Sequence, residues 1–399
     1  LVMTDEMSSR ERLLTAIEHK EPDHVPLYFK WWSRRFLHSP AEPWRDQFHR
    51  VEESLRMGLD DTVTFEAPHL VLSEDVKMRG RKEMLPGGRY PVLYKEYETP
   101  MGMLTQVVHQ TADWPHGDDI PIFSDHIIPR NRSKKYLIET LKDVEALRYL
   151  YREPRQKEVE WFLEHAEDVK RFAREKEVLV VCGEANGILG GDAVPWLMGF
   201  ENMMMSSVRN PELVHALLDL ILEWDLRYVD LVLQAGDVDI ICHRGWYECA
   251  NFWTAKGYET FIEPRLRRMI EAVHKGGAKF CYIMSTGLMP RLPKMVEMDV
   301  DLMFGIDPVQ GGADLVKARE MSRNKLCLWG GVNAAVSLTY ATKEQIEKEV
   351  ADAIYTLGPG GGFILSAIDQ LFDFNPWEKI QDMIDAWKKM RAYPLTRPR

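Results

Sequence analysis

Short apolar, β-branched runs recur along this chain, separated by longer stretches whose apolar residues fall at helical spacing. The runs at 25–30, 61–67, 178–185, 238–243, 278–285, 300–307, 326–332 and 361–367 read as strands. Runs such as Val178-Leu179-Val180-Val181 are apolar at every position, as strands buried on both faces of a parallel sheet require. Between them, 211–234, 257–274, 342–357 and 377–391 carry strong helical patterns, the first opened by Asn210 and Pro211 as cap and first helical residue. Eight strands alternating with helices predict an α/β fold of the (β/α)₈ TIM-barrel type, in one domain spanning 1–399.

A long excursion at 72–151, after the second strand, interrupts the alternation. Its centre, 94–108, reads as two strands about a Pro100-Met101-Gly102 turn. An insertion of that length is expected near the barrel mouth.

With 399 residues, 45% of them hydrophobic, the chain can bury a large core. No apolar leader or membrane-length run is visible, so a soluble cytoplasmic protein is expected. The formal net charge of −11, without a Lys/Arg block, argues against a nucleic-acid partner. Five cysteines, without disulfide-framework spacing, read as reduced thiols. The 12 Trp and 20 Met serve the core, with some free to line a pocket for a flat ligand. Gly358-Pro359-Gly360-Gly361-Gly362 reads as a helix stop leading into a strand.

Residues 9–26 form a short amphipathic helix capped by Ser9, with Leu13, Leu14 and Ile17 on one face, then a Pro22-Asp23 turn and Pro26. That order resembles the N-terminus of the uroporphyrinogen decarboxylase superfamily. Gly190-Gly191-Asp192-Ala193-Val194-Pro195-Trp196, the helix from Tyr258 through Pro264, Asp307-Pro308-Val309-Gln310, Leu328-Trp329-Gly330-Gly331-Val332-Asn333 and Gly360-Gly361-Gly362-Phe363 resemble further segments of it. The resemblance implies a barrel and two alternative chemistries, tetrapyrrole decarboxylation or methyl transfer involving a corrinoid.

The decarboxylases resemble one another in an Arg-Gln-Ala-Gly-Arg loop that holds substrate carboxylates. Here the loop is Trp31-Trp32-Ser33-Arg34-Arg35, where Arg35 survives and Trp31 replaces the first arginine. The family's aspartate after the second strand falls at Glu66, its tyrosine near Phe200 and its histidine after the eighth strand at Asp369. A substrate with eight carboxylates needs cationic forks, and Lys30 and Arg34 are the residues that could compensate for the lost arginine. The thiol-methylating members bind zinc through His-x-Cys and a later Cys. Here those positions carry Tyr282, Met284 and Asp369, so zinc through that pattern is not expected.

The reading preferred on these grounds is the O-demethylase branch, which passes a methyl group from a methoxyaromatic donor to a corrinoid (cobalamin) protein. Decarboxylation and a non-catalytic ligand-binding barrel remain alternatives, and a homodimer is compatible with the family. Aryl ether cleavage needs an acid or Lewis-acidic metal at the leaving oxygen, and a flat slot for the ring. Candidate catalytic residues are His243, Glu66, Glu184, Tyr282 and Asp369, of which His243, Glu66, Glu184 and Asp369 are also candidate metal ligands. Trp31, Trp32, Arg35, Phe65, His69, Trp196, Trp246 and Asp307 are expected to bind substrate, with Tyr247 and Trp253 near the slot. His243 is taken to face the pocket and Cys242 to face away, because neighbours on a strand point to opposite sides. These residues come from separate strand ends, so convergence of His243 with at least two other catalytic candidates in one cavity is expected.

Overall fold

The computed structural model describes residues 6–30, 44–184, 187–322 and 325–397. In chain order the strands are β1 (Thr62–Val63), β2 (Val71–Leu72), β3 (Lys77–Glu83), β4 (Val92–Thr99), β5 (Gly102–His109), β6 (Ser133–Lys135) and β7 (Tyr151–Arg152). They continue with β8 (Leu179–Cys182), β9 (Ile240–Arg244), β10 (Lys279–Ile283), β11 (Leu302–Ile306), β12 (Cys327–Asn333) and β13 (Phe363–Ile368). The apolar runs assemble into a seven-stranded sheet in the order β1-β8-β9-β10-β11-β12-β13, with every pair parallel. Residues 26–28 touch both of its edges. Leu27 bridges Leu365 on β13 and Tyr28 bridges Asp60 beside β1, both in parallel sense. The sheet is therefore curled, an α/β architecture consistent with a TIM-like barrel.

Both faces of this sheet are buried, as the unbroken apolar runs require. Tyr28, Val181, Ile240, Cys242, Cys281, Phe304 and Trp329 pack together on the inner face. The alternating residues Val180, Ile241, Phe280, Met303 and Leu328 belong to the larger core shared with the helices. All five cysteines are free and buried.

The N-terminal helix, Ser9–Ile17, is capped by Ser8 rather than Ser9, because Glu11 lies at the third helical position and completes a reciprocal box with Ser8. Leu13 and Ile17 face the core. The same helix supplies Arg12, whose Nε and Nη1 reach Asp23 and Asp60, each at 2.7 Å. Asp23 also accepts from the backbone N–H of Glu6 and Met7, and Asp60 from that of Leu27. The Pro-Asp turn thus has a physical role: one buried guanidinium joins helix, turn and the start of the sheet.

The helices Pro211–Ala235, Lys343–Leu357 and Trp377–Met390 stand within a residue or two of their expected bounds. The stretch expected as one helix at 257–274 is divided into a short turn at Ala255–Gly257, a wide π turn at Tyr258–Ile262 and the helix Glu263–Lys275. Pro264 has no N–H to donate to the preceding turn, which widens around it.

Between β1 and β8 the chain pairs β2 with β7 in antiparallel sense and builds a separate antiparallel sheet, β3-β4-β5-β6. Thr99 and Gly102 close the β4–β5 hairpin about Pro100 and Met101, as the sequence pattern predicts. Among the described residues no helix is long and apolar enough to cross a membrane.

Candidate active site

The carboxyl ends of the strands carry the polar residues, as expected for a barrel-type sheet. Lys30, Glu66, Glu184, Arg244, Asp307 and Asp369 each lie at or just beyond a different strand end. A cavity of about 370 Å³ opens there, lined by Lys30, Asp125, Arg244, Trp246, Tyr247 and Asp369 among others. The Lys30 ammonium lies 5.7 Å from the Trp246 ring centroid and 5.5 Å from that of Phe304. Arg244 lies 5.2 Å from the Trp196 ring, with its Nε 3.5 Å from an Asp192 oxygen.

Asp125, from the segment between β5 and β6, forms one wall of this cavity. Its Oδ1 accepts from the Trp196 indole N–H and from the Tyr247 hydroxyl, both at 2.7 Å. One carboxylate therefore joins the 64–178 segment to the segments that follow β8 and β9.

Glu66 and Glu184 follow β1 and β8 at the same end of the sheet and are not among the residues that line this cavity. Glu66 keeps exposed surface, yet protein closely surrounds its carboxyl. Desolvation and the nearby Glu184 charge push the Glu66 carboxyl up to about 7, against a 3.2 Å hydrogen bond donated by the Tyr228 hydroxyl. Burial also raises Glu184, which accepts from the Tyr28 hydroxyl at 3.2 Å and feels the Lys30 charge. Asp369 is raised by burial as well, partly offset by Lys30 and Arg244. A carboxyl that is half protonated near neutrality, with a second beside it, suits proton donation to a leaving oxygen.

The expected convergence on His243 does not hold. Side chains alternate along β9, so Ile240 and Cys242 line the inner face and Arg244 continues that parity into the mouth. His243 and Tyr282 lie on the other face, among the helices. The His243 Nε2 meets Glu248 at 3.1 Å, the Tyr282 hydroxyl donates to the same carboxylate, and Tyr282 is 0% exposed. His243 therefore joins neither the proton chemistry of the mouth nor a metal set with Glu66, Glu184 and Asp369. Phe65 is likewise turned outward, its ring 5.7 Å from that of Phe162.

Asp307 is buried and occupied structurally, accepting from the N–H of Val309 and Gln310 and from the Asn333 amide. It holds the turn after β11. His69 is also buried, its ring edge-on to Tyr228 at 4.9 Å and its Nδ1 3.1 Å from the Ala67 carbonyl. Trp196 backs the wall through Asp125, and Trp246 lines the cavity directly. Trp31, Trp32 and Arg35 lie outside the described residues.

Sequence reasoning missed Arg244 and Asp125. Register alone pairs Cys242 with Cys281 and so gives them one face, but with both faces apolar nothing in the pattern says which is inner. Asp125 carries no local signal, since its role depends on contacts with residues more than seventy positions away.

Among the described residues, no group of three or more His, Cys, Asp or Glu side chains is placed to hold a metal ion.

The buried network around His243 makes stability depend on pH. Burial disfavours the imidazolium, but Glu248, Asp225 and Asp192 outweigh it and raise the His243 pKa. A raised folded value stabilises fully below the unfolded value near 6.5 and is lost as pH rises through the folded value. Glu66 and Asp192, each raised to about 7, act in the same direction as they finish ionising. Buried His69 and His24, lowered to about 4 and about 3, oppose this only below 6.5. Unfolding free energy measured in urea is expected to fall between pH 6.5 and 8, with a shallower slope in His243→Gln; an increase over that interval would contradict the sign.

The family model described as uroporphyrinogen decarboxylase (URO-D) matches residues 126–390. The uroporphyrinogen decarboxylase of Photorhabdus laumondii subsp. laumondii is 22% identical over 193 residues, 45% of this chain and 52% of that protein. That of Klebsiella pneumoniae subsp. pneumoniae is 24% identical over 159 residues, 39% of this chain and 42% of that protein. The chain thus spans about half the length of the curated relatives it matches. A solved structure, a methyltransferase from Methanosarcina mazei, superposes with a TM-score of 0.60 at 15% identity, covering 96% of this chain and 99% of that one. At that identity the likeness speaks for the fold alone. The matched model covers about two thirds of the sequence, including the segment that carries Asp192, Arg244 and Asp369, and the chain belongs to the uroporphyrinogen decarboxylase family.

Proposed function

We propose that this chain is the donor-binding component of a corrinoid-dependent methyltransferase, a single (β/α)₈ barrel whose 72–151 segment lies at the mouth. Its donor is a small methoxyaromatic compound and its acceptor a corrinoid carried on a partner protein. The observation that carries this reading is the cavity. At about 370 Å³, with Trp246, Tyr247 and Phe252 in its lining, it has the size and walls of a site for one aromatic ring. Among its described lining residues Lys30 and Arg244 are the cations, set against Asp125 and Asp369.

The corrinoid supplies the nucleophile that takes the methyl group. The chain's own residues bind the ring, keep water from it and serve the leaving oxygen. As the methyl carbon separates, negative charge develops on that oxygen, and a proton from Glu66 converts it to the phenol. Burial keeps that proton on Glu66 near neutral pH, with a smaller contribution from the Glu184 charge.

Decarboxylation of a tetrapyrrole is the second reading, favoured by the two curated relatives. Calorimetric titration with methoxyarenes, run beside an assay for uroporphyrinogen turnover, separates the two. Heat of methoxyarene binding without uroporphyrinogen turnover is expected. Decarboxylation at an ordinary enzymatic rate would overturn the methyltransferase reading.

A further inference from the structure

Behind the mouth, between β9 and the helix layer, lies a second cavity of about 20 Å³. Asp225, His243, Glu248 and Arg265 contribute its polar lining, and Leu218, Ile221, Phe261 and Met269 much of its apolar lining. The acceptors here are already engaged by protein donors. Asp225 takes the N–H of Leu189 and Gly190 at 2.8 and 2.9 Å, and Glu248 takes that of Gly191 at 2.5 Å besides His243 and Tyr282. Two ring or guanidinium nitrogens are not engaged. His243 Nδ1 and Arg265 Nε are both buried without a hydrogen-bond partner, and His243 is only 3% exposed.

A buried donor without an acceptor costs about 1–3 kcal/mol, so two beside one polar cavity call for an occupant that accepts. The occupant must also tolerate the carboxylates of Asp225 and Glu248, which an anion would not. Water does both, accepting through its oxygen and donating to the free lone pairs of the carboxylates. An internal cavity of roughly 10–15 Å³ suffices for one molecule.

We infer that this cavity is an internal hydration site holding one ordered water, which accepts from His243 Nδ1 and Arg265 Nε and completes the His243–Glu248–Tyr282 network. The network has a consequence at the mouth. His243 and Glu248 bracket the segment that carries Arg244, Trp246 and Tyr247, three residues of the cavity wall. Glu248 also ties that segment to Gly191, one residue before Asp192, which accepts from the Tyr247 N–H at 2.7 Å. His243 is therefore a positioning residue for the mouth, acting through Glu248 and the water.

The water is tested on the full chain by NMR after ¹⁵N labelling of histidine. The expected result is both ring nitrogens of His243 protonated, with a cross-peak from the Nδ1 proton to a long-lived water. A bare Nδ1 with no such cross-peak, or a crystal structure that orders internal waters elsewhere and leaves this cavity dry, would overturn the site.

The positioning role rests on the proposed donor site and has its own arm, methoxyarene affinity in folded His243→Leu and His243→Gln proteins. His243→Leu is expected to weaken binding about tenfold, the loss of roughly one hydrogen bond's worth of ordering, and His243→Gln, which keeps a donor, to recover part of it. Equal affinity in all three proteins overturns the positioning role. If the unaltered protein binds no methoxyarene, the donor reading fails, while the NMR result still decides the water.

Discussion

Glu66→Gln is expected to slow methyl transfer by roughly 10²–10⁴-fold, the usual worth of a positioned general acid, without disturbing the fold. The amide keeps an oxygen for the Tyr228 hydroxyl but has no proton to give. In the unaltered protein the transfer rate should fall as pH rises through the value of about 7 held by Glu66, and this limb should vanish in the variant. Glu184→Gln removes the neighbouring charge that helps raise Glu66, so it should move the limb to lower pH. Single-turnover rates across pH check both. A Glu66→Gln protein with the rate and pH profile of the original would place the proton source elsewhere.

Arg12→Ala has the largest expected effect on stability, a loss of about 3–5 kcal/mol, because it leaves buried carboxyl groups without their cation. Asp60 is 1% exposed, and burial already pushes its carboxyl up despite Arg12, while Asp23 is held down at about 2 by its bonds to Arg12 and its neighbours. Urea unfolding of Arg12→Ala, Asp60→Asn and the double variant checks this. The double variant should cost less than the sum of the two, since neutralising Asp60 removes much of what Arg12 was needed for. A loss under about 1 kcal/mol in Arg12→Ala would mean that the triad does not hold the N-terminal helix to the sheet.

This triad also shows what the sequence made legible. The Ser9-to-Pro26 segment announced the family through its order of helix, turn and strand, and the contacts of Arg12 explain that order. The parallel strands were readable from unbroken apolar runs, and the β4–β5 hairpin from its Pro-Met-Gly turn. The helix at 257–274 was not, because a widened turn at Pro264 still keeps apolar residues near helical spacing.

The site was legible only in part. Glu66, Glu184, Asp369 and Trp246 lie beyond strand ends, where the sequence reading expected them. His243, Tyr282 and Phe65 follow the same logic and point the other way, since a strand buried on both faces carries no polar alternation to mark its inner side. Asp307 was read as a substrate contact, and in the fold its carboxylate holds the turn after β11 by accepting from Val309, Gln310 and Asn333. Asp125 became visible only when the fold brought it against Trp196 and Tyr247.

Following one labelled methyl group is the sharpest test of methyl transfer from an aryl ether. The protein is incubated with a ¹³C-methoxyarene and a reduced corrinoid protein, and both products are measured together. Labelled methyl on the corrinoid and free phenol are expected to form in equal amounts, both dependent on Glu66. Neither product forming, with uroporphyrinogen decarboxylated instead, would contradict it.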